Sequence, residues 1–221
     1  MEPSSLLEEL ADVIRVCPLC RLCETRTHAV PGSGKAQARI LFVGEGPGEK
    51  EDLSGLPFMG AAGQFLNELL LQAGIDRDEV FITNVVKCRP PNNREPLQDE
   101  VEACRDYLDA QIAIIEPKII CPLGGPSLRR LLGPELKISQ VRCKVFRQSG
   151  ILYIPLYHPA AALHRKELQS TLQADILVLK ELINREIEEN EITDWPTPEV
   201  AAMRRPKTEK KSDEAQTLSL F

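Results

Sequence analysis

The sequence predicts an α/β protein, a three-layer αβα sandwich with a central, mainly parallel four-stranded sheet. Three observations carry that expectation. Four short runs, 39–43, 80–86, 118–121 and 151–156, are apolar and β-branched, as strands covered on both faces are. Stretches of helical periodicity alternate with them, which is the pattern of βαβ units. The segments that leave the strands, 44–60, 87–94, 122–126 and 157–165, hold Gly, Pro and isolated polar residues. In a parallel sheet these segments gather at one end, where such folds bind ligands.

Leu6, Leu7, Leu10 and Ile14 share one face of a first helix over 5–16, with Ser4 or Ser5 as its cap. It runs into Cys17-Pro-Leu-Cys20-Arg-Leu-Cys23, and 24–38 reads as a loop. The first strand ends at Val43 and opens into Gly44–Gly60, a stretch with five glycines and two prolines. A helix near 61–73 follows and stops at Gly74, a natural C-cap. In the second strand Asn84 stands out, because a central strand disfavours asparagine. Lys87–Arg94 reads as a rigid loop, 97–115 as one long helix, and Lys118–Cys121 as the third strand. A short helix at 127–132 comes next, then a hairpin or irregular crossover over 135–150 and the fourth strand at Ile151–Leu156. Residues 160–163 read as a loop or turn and 170–187 as a final helix.

With 221 residues at 43% hydrophobic, the chain can bury one proper core, and a single domain over 1–190 is expected. Residues 191–221 carry Pro196, Pro198, Pro206 and a charged run without periodicity, the composition of a disordered polar tail. Trp195 and Phe221, its two aromatics, offer weak contacts to a partner. No run approaches 18 apolar residues, so no membrane span is expected. The acidic start is unlike a secretory signal, and the expected location is the cytoplasm. A monomer is expected. Of the net charge of −6, residues 181–221 hold 10 acidic and 6 basic groups, and the rest is nearly balanced at 23 against 21. This excludes a protein that coats DNA through bulk positive charge. It leaves room for an enzyme with a small footprint and a few phosphate contacts.

The Gly44–Gly60 loop is built to come close to something, since its glycines and prolines make tight turns and leave N–H groups open. Glu45, Glu49, Glu51 and Asp52 would repel a nucleotide phosphate. Neither the Gly-x-Gly-x-x-Gly spacing nor a Gly-Lys-Ser/Thr follows. A loop that brings a carboxylate and an aromatic against a small polar ring fits these residues better.

Seven cysteines, an odd number in a cytosol-like chain, argue for a metal or cluster site over a disulfide framework. Cys17-x-x-Cys20 has metal-ligand spacing, with Cys88 and Cys104 far downstream. One knuckle without a second makes a four-thiolate iron–sulfur cluster the first reading and zinc the second. Spacing alone also allows Cys17, Cys20 and Cys23 with one remote ligand. Cys121 reads as a small buried apolar residue.

Several motifs in one order then carry a resemblance. They are Cys17-Pro-Leu-Cys20-Arg, Gly44-Glu-Gly-Pro-Gly-Glu-Lys-Glu-Asp52, Gly55-Leu-Pro-Phe-Met-Gly60, Thr83–Pro91 with Asn93-Arg94, and Tyr157-His-Pro159. Together they resemble the family 4 uracil-DNA glycosylases, the iron–sulfur type, over about residues 6–190. Ala160-Ala161 stand where that family usually has a serine–tyrosine pair.

The resemblance implies hydrolysis of the N-glycosidic bond of a flipped-out deoxyuridine in single- or double-stranded DNA, with uracil released and an abasic site left. It implies a structural 4Fe-4S cluster on Cys17, Cys20, Cys88 and Cys104. His158 would stabilise the uracil anion, and Glu45 with the Gly46 backbone would position water or balance the sugar cation. Asn84 would read the base, Phe58 would stack on it, and Glu51 would wall off the methyl group of thymine. Arg89, Asn93, Arg94 and Ser127 would meet phosphates. Leu163 would wedge into the duplex beside His164 and Arg165. The alternatives are a non-catalytic iron–sulfur protein that binds DNA and a glycosylase for another damaged base.

Overall fold

The computed structural model describes residues 2–193. The tail beyond Thr193, with Trp195 and Phe221, lies outside the described residues. Residues 191–193 continue the packed chain: Ile192 bridges Val145, and the Thr193 N–H donates to the Val145 carbonyl at 2.7 Å.

In chain order the elements are α1 (Pro3–Arg15), β1 (Ser33–Gly34), β2 (Ile40–Gly44), α2 (Glu49–Ser54), α3 (Ala61–Ala73), β3 (Phe81–Asn84), α4 (Gln98–Ala103), α5 (Arg105–Ile115), β4 (Ile119–Pro122), α6 (Gly125–Leu132), α7 (Ile138–Val141), β5 (Phe146–Gln148), β6 (Ile151–Tyr153), α8 (Ala160–His164) and α9 (Glu167–Ile183). The sheet has six strands in the order β1-β3-β2-β4-β6-β5. The four expected strands are its parallel centre, and β1 and β5 add a short antiparallel edge on each side. The four-stranded expectation is therefore corrected to six. Two and three residues are too short to leave a periodic signal.

Residues along β2 alternate between two cores. Ile40 and Phe42 join Leu66, Leu70, Ile176 and Leu179 of α3 and α9. Leu41 and Val43 join Ile14, Leu108 and Leu128 of α1, α5 and α6 on the other face. A side-chain period of two with both faces covered explains why β2 is buried at every position.

Three more expectations change in detail. The long helix over 97–115 divides into α4 and α5 at Cys104, whose φ −92° and ψ −2° mark the junction. The glycine-rich loop contains α2, and 160–164 form α8. Among the described residues, no helix is long and apolar enough to cross a membrane.

Candidate active site

The carboxyl ends of β2 and β3, with α2, α8 and the loop before α8, enclose a cleft of about 420 Å³. A second cavity of about 540 Å³, lined by Pro3, Leu6, Arg39 and Lys118, lies at the opposite end of the strands. Chemistry separates the two. The cleft brings together Glu45, Gly46, Glu51, Phe58, Asn84 and His158.

Asn84 ends β3 in register with Gly44 of β2. A Cβ at Gly44 would lie 2.3 Å from Asn84 Oδ1 and 3.0 Å from the Phe58 ring, so only glycine lets both approach the strand end. Asn84 is 2% exposed, and its Oδ1 has no hydrogen-bond partner within the protein. A buried amide oxygen without a partner costs free energy, and it marks a place where a ligand completes the bonding.

Phe58 takes a left-handed backbone, φ 58°, which is uncommon for an aromatic residue. Gly63 in the first turn of α3 makes room for it, because a Cβ there would fall 1.7 Å from the Phe58 carbonyl oxygen. The rings of Phe58 and His158 stack with centroids 5.6 Å apart and planes 28° apart.

His158 Nδ1 accepts the Ala160 N–H at 3.1 Å, so the neutral ring carries its proton on Nε2. Burial pushes its pKa down to about 4, with Glu51 opposing. At neutral pH the residue is an uncharged N–H donor. Burial also raises the Glu45 carboxyl; Glu95 adds to the rise and Arg129 opposes it.

Glu51 holds the loop. Its Oε2 accepts the Gly48 N–H at 3.0 Å and its Oε1 the Gly60 N–H at 2.8 Å, which ties the start of α2 to the start of α3. The neighbouring Asp52 accepts the Thr27 N–H at 2.9 Å and docks this loop on the segment after the cysteines. At the rim, Leu163 is 45% exposed on α8, followed by the exposed His164 and Arg165.

Other expected residues are placed differently. Ser127 is fully buried, and its hydroxyl hydrogen is taken up by the Leu123 and Gly124 carbonyls at 2.8 and 3.2 Å. The expected phosphate contact is corrected to a turn-fixing role. Arg94 lines the cleft, but its guanidinium is paired in bidentate fashion with the fully buried Glu100 at 2.6 and 2.8 Å. Arg89 donates to Asn93 Oδ1 at 2.8 Å. Lys87 was read only as the start of a loop. It is 1% exposed and bonds the Asn84 backbone, and its signal was a lysine directly after Val85-Val86.

Cys17, Cys88 and Cys104 are buried and Cys20 half-buried, and every cysteine is a free thiol. The four come from three separate segments, and Cys20, Cys88 and Cys104 each lie within electrostatic reach of others of the set. Two of the sulfurs accept donors: Leu19 N–H on Cys17 at 3.5 Å and Arg26 Nη1 on Cys88 at 3.1 Å. Burial pushes the Cys104 thiol up to about 11 and raises Cys88 and Cys20. Among the described residues, no three His, Cys, Asp or Glu side chains converge tightly enough to hold a single metal ion. Three buried thiols and one half-buried thiol, two of them met by N–H groups, are a set of soft donors of the kind that holds a soft metal or a cluster.

Residues 31–182 match the model of the Uracil DNA glycosylase superfamily. The chain belongs to this superfamily. It is 47% identical over 185 residues to a type-4 uracil-DNA glycosylase of Sulfurisphaera tokodaii, a match covering 80% of this chain and 84% of that protein. A type-4 uracil-DNA glycosylase of Thermotoga maritima is 43% identical over 185 residues, covering 82% of this chain and 96% of the relative. A DNA polymerase of Bacillus phage SP01 is 34% identical over 170 residues, which is 76% of this chain and 18% of the phage protein. The family expectation formed from the motifs is thereby established.

Proposed function

We propose that this chain is a uracil-DNA glycosylase acting in DNA repair. It hydrolyses the bond between uracil N1 and deoxyribose C1′ of a nucleotide turned out of DNA, releasing uracil and leaving an abasic site. The observation that carries this reading is the Asn84 carboxamide, buried, its Oδ1 without a partner, and lining a cleft beside a neutral histidine. One carboxamide accepts from uracil N3–H and donates to O4. Cytosine reverses that pattern and leaves buried polar groups unpaired.

The His158 Nε2–H serves the negative charge that develops at uracil O2 as the bond breaks, and it does so without a proton transfer. Phe58 offers an apolar face to the base. Glu45 and the Gly46 backbone position water or balance positive charge on the sugar. Glu51 fixes the loop shape and stands where the 5-methyl group of thymine would intrude. Leu163 is the wedge, and Arg89, His164 and Arg165 are the groups nearest a phosphate path. The test is single-turnover base release from oligonucleotides with one uracil, cytosine or thymine. Release of uracil alone supports the reading. No release from single- or double-stranded uracil DNA overturns it.

Cys17, Cys20, Cys88 and Cys104 would hold a 4Fe-4S cluster, which when bound supplies a structural cross-link. The support is the four-thiol donor set, three of its members buried, with N–H···S bonds at Cys17 and Cys88; zinc on the same thiolates is the second reading. Absorbance near 400 nm in purified protein tests this assignment.

A further inference from the structure

Lys87 follows the strand that carries Asn84 and is 1% exposed. Its Nζ donates to Thr83 Oγ1 at 2.7 Å, to the Asn84 backbone oxygen at 2.8 Å and to Gln111 Oε1 at 2.7 Å. An ammonium has three donors, and all three are used without any carboxylate. The acceptors are themselves fixed, since Thr83 Oγ1 and Gln111 Nε2 both donate to the Pro31 carbonyl, at 2.9 and 2.7 Å. The result is a closed polar network within the protein beside the strand end that reaches the cleft.

A buried amine is a poor way to fill space: methionine has a stem of similar length and no polar head to desolvate. What the amine does that methionine would not is grip a backbone carbonyl. Asn84 is the last residue of β3, where the chain leaves the strand. Beyond that point the Val85 and Val86 N–H groups still donate to the Gly44 and Glu45 carbonyls at 3.0 and 3.2 Å, and Lys87 adds the hold on the Asn84 carbonyl itself. Lys87 also directly precedes Cys88, one of the four thiols.

We propose that Lys87 is a positioning residue for base recognition: it fixes the Asn84 backbone so that the carboxamide, with its unpartnered Oδ1, meets the uracil edge. The inference rests on the cleft being a uracil site. Lys87 does not touch the substrate. It acts through Asn84, and its loss therefore has a signature that general destabilisation lacks.

The experiment is a double-mutant cycle on the protein as purified. Lys87→Met keeps the stem and removes the donors. It is expected to weaken binding of free uracil and to lower kcat/KM on a uracil oligonucleotide by about 10- to 100-fold, the effect of one charge-assisted hydrogen bond. Visible absorbance and the far-UV spectrum stay as in the wild type. In an Asn84→Ala background the same change is expected to cost less than about twofold, because the group it positions is gone. Equal losses in both backgrounds, or wild-type uracil affinity in Lys87→Met, overturn the proposal. Should Lys87→Met fail to fold, Thr83→Val and Gln111→Leu each remove one anchor of the network, and the same pairing with Asn84→Ala decides. Wild-type protein that neither binds nor releases uracil removes the functional reading and this inference together. Uracil release that is intact in the wild type and insensitive to Lys87 removes this inference alone.

Discussion

At His158 one backbone hydrogen bond sets the chemistry. The Ala160 N–H occupies Nδ1, so the neutral ring has a single donor left to offer, on Nε2. Its pKa of about 4 lies below the ordinary 6.5, and between those values the unfolded chain holds a proton that the folded chain does not. The His158 contribution to stability is therefore complete above pH 6.5 and is lost as pH falls toward 4. Base release is expected to be flat from about pH 8 to about pH 5 and to fall below that, as His158 gains charge. Glu45, raised by burial, loses its charge in the same direction. A single-turnover pH profile of Glu45→Gln should retain the part of the acid limb that belongs to His158. His158→Ala should slow release by roughly 10²–10³, the cost of an oxyanion donor. A wild-type rate in that variant would remove His158 from the reaction.

At the scale of elements, the site depends on how the Gly44–Gly60 loop is held between β2 and α3. Glu51 clamps the start of α2 to the start of α3, and Gly63 lets the first turn of α3 rest on the Phe58 carbonyl. Gly63→Ala should lower stability by about 1–3 kcal/mol through overpacking and should depress uracil release by more than stability alone explains, because Phe58 must move. Thermal melts run beside base-release assays separate the two effects. Much of this end of the sheet was legible in the sequence. Asn84 was a polar residue in an apolar strand, and His158 followed a strand directly. Side-chain partners were not legible. Ser127 resembled an open hydroxyl at a helix start, yet its hydrogen is turned back on the Leu123–Gly124 carbonyls. Arg94 resembled a free cation, but Glu100, six residues on, takes both arms of its guanidinium. Neither pairing has a periodicity to betray it. The break at Cys104 was hidden as well, because the apolar spacing runs through it. If Arg94 is structural, Glu100→Gln should lower the melting temperature and leave the salt dependence of DNA binding unchanged. A shallower salt slope in that variant would return Arg94 to the phosphate contacts.

The whole molecule brings segments far apart in the chain together beside one strand. Cys17 and Cys20 follow α1, Cys104 sits between α4 and α5, and Cys88 lies four residues beyond Asn84. The helices on this face of the sheet share one core with Cys88 and Cys104, while Phe58 of the Gly44–Gly60 loop packs into the other. A cross-link among these thiols would restrain the segment that leaves β3, including the Lys87 grip on Asn84. Cys88→Ser and Cys104→Ser are expected to abolish absorbance near 400 nm, to lower the melting temperature by several degrees or more, and to slow uracil release in proportion to uracil affinity. The order of events distinguishes a structural group from a reactive one. As cluster iron is chelated from wild-type protein, base release should decline together with the melting temperature and with uracil binding. Release that falls while melting temperature and uracil binding hold would place the cluster in the reaction instead. Release, binding and melting that all hold as the absorbance disappears would leave the cysteines without a part in the site, and the polar network around Lys87 would then hold the strand end unaided.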